Sequence, residues 1–277
     1  MTVQELIACR RQQAAVSTSQ FLFGASGMMA QLREDVAAAS RADVNVLIVG
    51  EAGVGKQIIA RTIHDAGSRR PQPFVTVSCA SIPDSLLESE LFGHVRGSFA
   101  GAYRDKPGLT AQGDRGTLFV DEIADMSRRV QALFLRFVET GTVTPTGSSG
   151  HERRTNVRIV TAASRSLAHA IAAGDFREDL YYRLNVIRLT IPPLRERGDD
   201  ICALLRHHLG ERAKAHGVGT PQLSAGAANI LSVYHWPGNV RELTNVVERL
   251  VIRRVERDVA VEDLPPEILS ATTYTSR

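Results

Sequence analysis

Two hydrophobic periods alternate along the first two thirds of this chain. Between about residues 44 and 190, short apolar runs of strand length are separated by stretches with apolar residues at helical spacing. The strand-like runs are Val44–Val49, Phe74–Ser78, Thr117–Asp121, Val157–Ala162 and Val186–Ile191. One helical stripe between them is Val130, Leu133, Phe134, Phe137 and Val138, an i, i+3, i+4, i+7, i+8 pattern. This alternation predicts an α/β fold with a parallel sheet and helices on both faces. After Pro192-Pro193 the pattern turns purely helical, over about 199–215, 224–233 and 239–256, which predicts a second, smaller subdomain. The last of these helices has a start signal. Pro237-Gly238 turns the chain, Asn239 is a candidate cap, and Glu242 sits three residues on, as in a capping box. The expected organisation is a polar leader over 1–20, an α/β subdomain over 21–192, a helical subdomain over 193–268 and a polar tail over 269–277, with no internal repeats.

Composition narrows the class without naming a chemistry. The 277 residues, 43% hydrophobic and 23% charged, suit a soluble globular protein of one large or two small domains. No apolar run approaches the length of a membrane span, and the N-terminus lacks a signal-peptide core, so no membrane partner is expected. Cys9, Cys79 and Cys202 have neither disulfide-framework nor zinc spacing, which predicts a reducing, cytoplasmic setting. A net charge of +3 is too small to argue for nucleic-acid binding by itself. Of 33 basic residues three are lysine, leaving 30 arginines; this reads first as genome composition, and as phosphate chemistry only where a motif supports it.

One motif does. The first apolar run leads directly into Gly50-Glu51-Ala52-Gly53-Val54-Gly55-Lys56, with Gln57 next. Glycines let the backbone wrap a phosphate group so that several N–H groups converge on it, and Lys56 adds charge near the terminal phosphates. The helix predicted to follow begins with its positive dipole end at the same place. With 22 glycines and three lysines, the pattern arises by chance in roughly 2 of 100 chains of this composition. The bland alternative is a glycine-rich turn before a helix. A second motif, Gly116-Thr117-Leu118-Phe119-Val120-Asp121-Glu122, is an apolar strand ending in two carboxylates. Beside a phosphate loop, Asp121 is the candidate magnesium ligand and Glu122 the candidate general base for water. Alternation along a strand aims the two at different targets. Alone, such a pair is equally a solvated strand end.

Together with what lies between and after them, these motifs resemble the AAA+ central domain of bacterial enhancer-binding proteins, the ATPases that activate sigma-54 RNA polymerase. The resemblance covers roughly residues 20–268. Its most specific stretch is Leu86-Leu87-Glu88-Ser89-Glu90-Leu91-Phe92-Gly93-His94, followed by Gly97-Ser98-Phe99-Ala100-Gly101-Ala102. In the family the second segment is a loop that touches the sigma factor. Glycines at its ends permit hinging, and Phe99 is expected as an exposed aromatic. Phe176-Arg177-Glu178-Asp179-Leu180-Tyr181-Tyr182-Arg183-Leu184 is similar to the family's arginine-finger segment, which implies that Arg177 and Arg183 reach ATP held by a neighbouring subunit. On spacing alone the same arginines suit surface ion pairs with Glu178 and Asp179. Trp236-Pro237-Gly238-Asn239-Val240-Arg241-Glu242-Leu243 is similar to the sensor II segment of a helical lid, which implies that Arg241 reaches the phosphates; a structural ion pair is the other reading. Arg195 and Arg197 match the family's Leu-Arg-Glu-Arg stretch and receive no catalytic role. The resemblance implies a P-loop AAA+ three-layer α/β/α sheet with a C-terminal helical lid, ATP and Mg2+ as cofactors, a homo-oligomeric ring of six subunits, and the sigma-54 RNA polymerase holoenzyme as partner.

The chain departs from the family pattern at named positions. Gln57 stands where a glutamate is most common, Ser78 where an asparagine holds the catalytic glutamate, and Ser164 where the sensor I segment ends in Ala-Thr-Asn. Ala100 replaces the loop threonine and removes a hydroxyl at the expected sigma contact. Neither a sensory domain before residue 20 nor a helix-turn-helix after residue 268 is read in these residues, so the chain is expected either to be an excised or truncated ATPase module or to work without its own DNA-binding domain. Three functions stay open. The first is a ring ATPase that remodels the sigma-54 closed complex through the Phe99 loop. The second is a nucleotide-dependent regulatory module whose loop has impaired or no sigma-54 contact. The third is an AAA+ ATPase with another protein client.

Overall fold

The computed structural model describes residues 26–99, 101–148, 152–253 and 258–274. The expected leader over 1–20 and the loop residue Ala100 lie outside the described residues. The chain divides into two compact units. One, the sheet unit, contains Glu34–Gly50 and Lys56–Ile191. The other, the helical unit, contains the described residues up to Arg33, the segment Glu51–Gly55, and the described residues from Pro192 onward.

The sheet unit is built on five strands: β1 (Val46–Val49), β2 (Phe74–Ser78), β3 (Thr117–Asp121), β4 (Arg158–Ala163) and β5 (Ile187–Thr190). Their order is β2-β3-β4-β1-β5, and every pairing is parallel. Val46 lies opposite Val160 and Ile187, Phe74 opposite Thr117, and Thr117 opposite Arg158. Near-continuous apolar strands suit a sheet covered on both faces, where alternation would leave polar groups stranded. Three runs shift from their expected bounds, the last shortening from Val186–Ile191 to Ile187–Thr190. β1 starts at Val46 rather than Val44; Asn45, just before it, accepts the Ile187 N–H on its carbonyl at 3.3 Å and donates its Nδ2 to the Arg183 carbonyl at 3.0 Å. β4 begins at Arg158, a buried cation in the sheet. Its guanidinium donates to the carbonyls of Ala39 (2.6 Å) and Val44 (3.4 Å), and burial pushes its pKa down. Ala39 lies near the end of helix α1 (Gly27–Arg41), where carbonyls lack helical donors and a cation is favoured.

The longer helices of this unit are α2 (Lys56–Asp65), α3 (Asp84–Phe92), α4 (Arg128–Thr140), α5 (Leu167–Ala172) and α6 (Glu178–Leu184), beside a four-residue helix at Leu109–Gln112 and two small two-stranded ladders. In α4 the stripe read from the sequence is the packed face: Val130, Phe134 and Phe137 are buried in one cluster with Leu118, Val120, Leu91 and Ile159. Ser127 caps the helix by accepting the Val130 N–H, and Gly141, at φ +67°, ends it.

The helical unit holds α7 (Gly198–His216), α8 (Ala225–Val233), α9 (Asn239–Ile252) and α10 (Pro266–Tyr274). Its core gathers Leu204, Leu205, Leu231, Leu243, Val247 and the fully buried Trp236. Trp236 donates its indole N–H to the Leu231 carbonyl at 3.0 Å and meets Tyr234 edge-on, so the large ring is buried without an orphaned donor. Three expectations change here. Asn239 is the first helical residue and not the cap; the cap is Gly238. Half of the expected capping box is present, because Glu242 accepts the Gly238 N–H at 2.8 Å while the Asn239 side chain bonds elsewhere. The last long helix ends at Ile252 rather than 256, and α10 runs through the first residues of the expected polar tail, with Leu269 packed on the core.

Candidate functional site

In the sheet unit, the candidate residues gather at the C-terminal ends of the parallel strands, where ligands of such sheets bind. Gly50 follows β1 and donates its N–H to the Ala163 carbonyl, the last residue of β4. Lys56 opens α2 and is buried, with 6% exposure. Its ammonium donates to the Gly50 carbonyl at 3.0 Å and lies 3.2 Å from Glu122 Oε1. Asp121 ends β3, and Glu122 leaves the strand in a left-handed conformation, φ +51°. Strand alternation therefore does not aim the two carboxylates. The turn does, and it is fixed by the Glu122 N–H donating to Asp121 Oδ1 at 3.0 Å. A left-handed glutamate is a strained backbone held by its surroundings.

Those surroundings are Ser164 and Lys56. Glu122 Oε2 accepts both the Ser164 N–H (3.0 Å) and its hydroxyl (2.6 Å). Burial opposes the charge on Glu122, but the two Ser164 donors and the Lys56 ammonium outweigh it, and the carboxyl is held below its ordinary range. Ser78 ends β2 opposite Asp121, and its carbonyl accepts the Ser81 hydroxyl. Ser164 and Lys56 thus hold the glutamate. A donor pair just past the end of β4 holds Glu122. Gln57 is exposed in the first turn of α2.

In the helical unit, the loop segment Glu51–Gly55 is bonded at successive residues. Arg195 donates two guanidinium bonds to the Glu51 carboxylate, at 2.9 and 2.6 Å. Asn239 Nδ2 donates to Glu51 Oε2 (3.1 Å) and to the Ala52 carbonyl (3.0 Å). The Arg241 N–H donates to the Gly53 carbonyl at 3.2 Å, and the Arg241 side chain is exposed. Hydrogen bonding to Arg195, then to Asn239, holds the Glu51 carboxyl down at about 2. Gly53 needs to be glycine twice over: its φ is +80°, and a Cβ there would sit 2.3 Å from the Gly238 carbonyl oxygen. Gly55 has φ +106°, and Val54 is fully buried.

The other expected residues lie in the sheet unit. Gly97 (φ +81°) and Gly101 (φ +109°) bound the Phe99 loop, and the Gly97 N–H donates to the Ala102 carbonyl at 2.8 Å. Ser98 lies against Gly147. Phe99 is exposed, at 37%, as expected; its ring meets His94 edge-on at 5.0 Å, and buried His94 bonds Ser89 at 2.6 Å. Arg177 pairs with Asp179 through two bonds, at 3.0 and 2.6 Å, as the ion-pair reading anticipates. Arg183 is exposed. Sequence reasoning missed Arg195 and Asn239 as partners of the loop; their one signal was the Leu194-Arg195-Glu196-Arg197 stretch, which had no assigned role. It also missed Gln131, fully buried, which donates to the Met126 and Asp175 carbonyls and accepts the Arg177 N–H, anchoring the arginine segment. A lone glutamine on a helix face carries no pattern that reveals this.

Among the described residues no cluster of three or more His, Cys, Asp or Glu could cage a metal, and no helix is long and apolar enough to cross a membrane.

Residues 22–190 match the family described as the Sigma-54 interaction domain, and residues 195–277 match the AAA+ ATPase lid domain. The nitric oxide reductase transcription regulator NorR2 of Cupriavidus necator is 43% identical over 251 residues, covering 90% of this chain and 48% of that protein. The regulatory protein LuxO of Vibrio cholerae is 41% identical over 249 residues, covering 90% and 54%. The chain spans about half the length of the curated relatives it matches. The crystal structure of NtrX from Brucella abortus in complex with ATP is similar at TM-score 0.82 and 33% identity, over 95% of this chain and 63% of that one. The fold is a parallel five-stranded sheet with helices plus a C-terminal AAA+ lid, and the chain belongs to the sigma-54 interaction domain family, the AAA+ P-loop domain of sigma-54-dependent transcriptional regulators.

Proposed function

We propose that this protein binds ATP through Gly50–Gln57, hydrolyses it in a homo-oligomeric ring of six subunits, and uses the Phe99 loop to remodel the sigma-54 RNA polymerase closed complex. The observation that carries the catalytic reading is the Lys56–Glu122–Ser164 cluster at the ends of β3 and β4. A half-buried carboxylate held ionised beside the phosphate-loop lysine is a base in waiting. An incoming phosphate group competes for Lys56, and Glu122 is left with Ser164 as its orienting partner, ready to accept a proton from water. Asp121 would hold Mg2+, which supplies neutralising charge to the phosphate oxygens. A single carboxylate without a protein cage suits Mg2+, which keeps most of its waters and takes phosphate oxygens as ligands. Arg177 and Arg183 would act on ATP bound by the neighbouring subunit, and Arg241, whose backbone already bonds the loop at Gly53, would act from the lid. The ATP complex recorded for the similar NtrX chain supports the nucleotide. The named relatives, transcription regulators, support the sigma-54 setting.

One observation favours a second reading. Ala100 removes the hydroxyl of the presumed sigma contact, which suits a nucleotide-dependent regulatory module that no longer engages sigma-54. Binding of sigma-54 RNA polymerase with ATP, ADP and a transition-state analogue decides between them, run beside an ATPase assay. Capture with the transition-state analogue, together with loss of turnover in Glu122→Gln, supports remodelling. Turnover without capture, with capture gained in Ala100→Thr, supports the second reading.

A further inference from the structure

The phosphate loop is tied along its carbonyl side, and the ties have a directional consequence. In a planar trans peptide the C=O and the following N–H point in opposite directions. The Ala52 carbonyl is held by Asn239 and the Gly53 carbonyl by the Arg241 N–H. Fixing these two carbonyls turns the N–H groups of Gly53 and Val54 the other way, as an array of donors for an anion needs. We propose that Asn239 and Arg195 are positioning residues for the phosphate loop: through Glu51 and Ala52 they set the direction in which its N–H groups face before nucleotide arrives.

Asn239 is built for this use. It is fully buried, adopts a left-handed backbone at φ +54°, and divides its side-chain bonds between this segment and Leu194. Nδ2 donates to Glu51 Oε2 and the Ala52 carbonyl, while Oδ1 accepts the Leu194 N–H at 2.8 Å. Leu194 directly precedes Arg195, so the same asparagine positions the arginine whose fork grips the Glu51 carboxylate. A capping asparagine would have bonded the N–H groups of its own helix; this one bonds the loop instead. The Glu51–Arg195 pair is about 40% exposed at both partners, so its worth lies in geometry and not in bulk stability. A loop with three glycines is free to sample many shapes, and pre-ordering it strengthens ligand binding without touching the chemical step.

The inference rests on the nucleotide reading for its ligand, and its test separates the two. Arg195→Ala removes the fork at an exposed position. Asn239→Gly keeps the left-handed backbone open and removes only the side-chain bonds. Hydrogen exchange over residues 51–55 of the nucleotide-free protein reads loop order directly, and titration with a fluorescent ATP analogue plus saturation kinetics reads its use. The expected result is faster exchange in both variants, a Kd raised about 10-fold in Asn239→Gly and about 3-fold in Arg195→Ala, and kcat at saturation changed less than about twofold. Glu51→Gln should reproduce Arg195→Ala, and the double variant should add nothing to it. Unchanged exchange and unchanged Kd in both variants overturn the proposal. Faster exchange in the variants of a protein that binds no ATP upholds the loop ties and sinks the nucleotide reading instead.

Discussion

Glu122 shows how a single residue is prepared by its neighbours. It sits on a left-handed turn, and its carboxylate is shared between Lys56 on one oxygen and Ser164 on the other. Because the folded-state pKa is depressed, the ionised form exists above that value and is lost as pH falls through it. Ser164→Ala removes one of the two Ser164 donors and leaves the backbone N–H. The pKa of Glu122 then rises, so the acid limb of the ATPase pH profile should move to higher pH, with Ser164→Thr restoring it. An acid limb that stays in place would mean that Ser164 does not tune the base. The residue types at this site were readable in order along the chain, but their pairing was not. Ser164 and Glu122 are 42 positions apart and meet only because β3 and β4 are adjacent parallel strands.

At the scale of elements, apolar runs located all five strands of the sheet, because a doubly covered parallel strand is an unbroken hydrophobic segment. Ends were less legible than middles. Asn45 and Arg158 are polar residues whose side chains serve helix and loop carbonyls, and such long-range bonds leave no periodic trace. The helical unit shows the same division. Its helices follow from spacing, yet Gly238 and not Asn239 caps α9, and the buried Asn239 side chain is bonded to Leu194, Glu51 and Ala52. Trp236, also left-handed at φ +50°, anchors α8 to the start of α9. Trp236→Ala should destabilise this unit by about 3–5 kcal/mol through the cavity it leaves. Denaturant unfolding followed by circular dichroism checks this, and a loss under 1 kcal/mol would show that the indole is not the core's keystone.

For the whole molecule the decisive question is what one chain lacks. Arg177 is paired with Asp179 on the surface of its own chain, and Arg183 is exposed. An exposed pair of this kind yields at little cost when a stronger anion is offered, and a triphosphate on a neighbouring subunit is such an anion. Specific ATPase activity should therefore rise with protein concentration as the ring assembles, and Arg183→Ala should lower turnover by about 10³-fold or more while the chain still folds and binds nucleotide. Activity that is independent of concentration and untouched by this substitution would remove the intersubunit role. What the sequence by itself determined is the family and the parallel sheet, and it located the Gly50–Lys56 loop and the Asp121–Glu122 pair as candidates, because each is written in contiguous residues with a local period or spacing. Only the tertiary structure decided which groups hold them: Ser164 rather than Ser78 on Glu122, and Arg195 with Asn239 on Glu51 and Ala52. Those contacts join residues as many as 188 positions apart, and a hydrogen bond requires only that two groups meet, which no local pattern in the chain records.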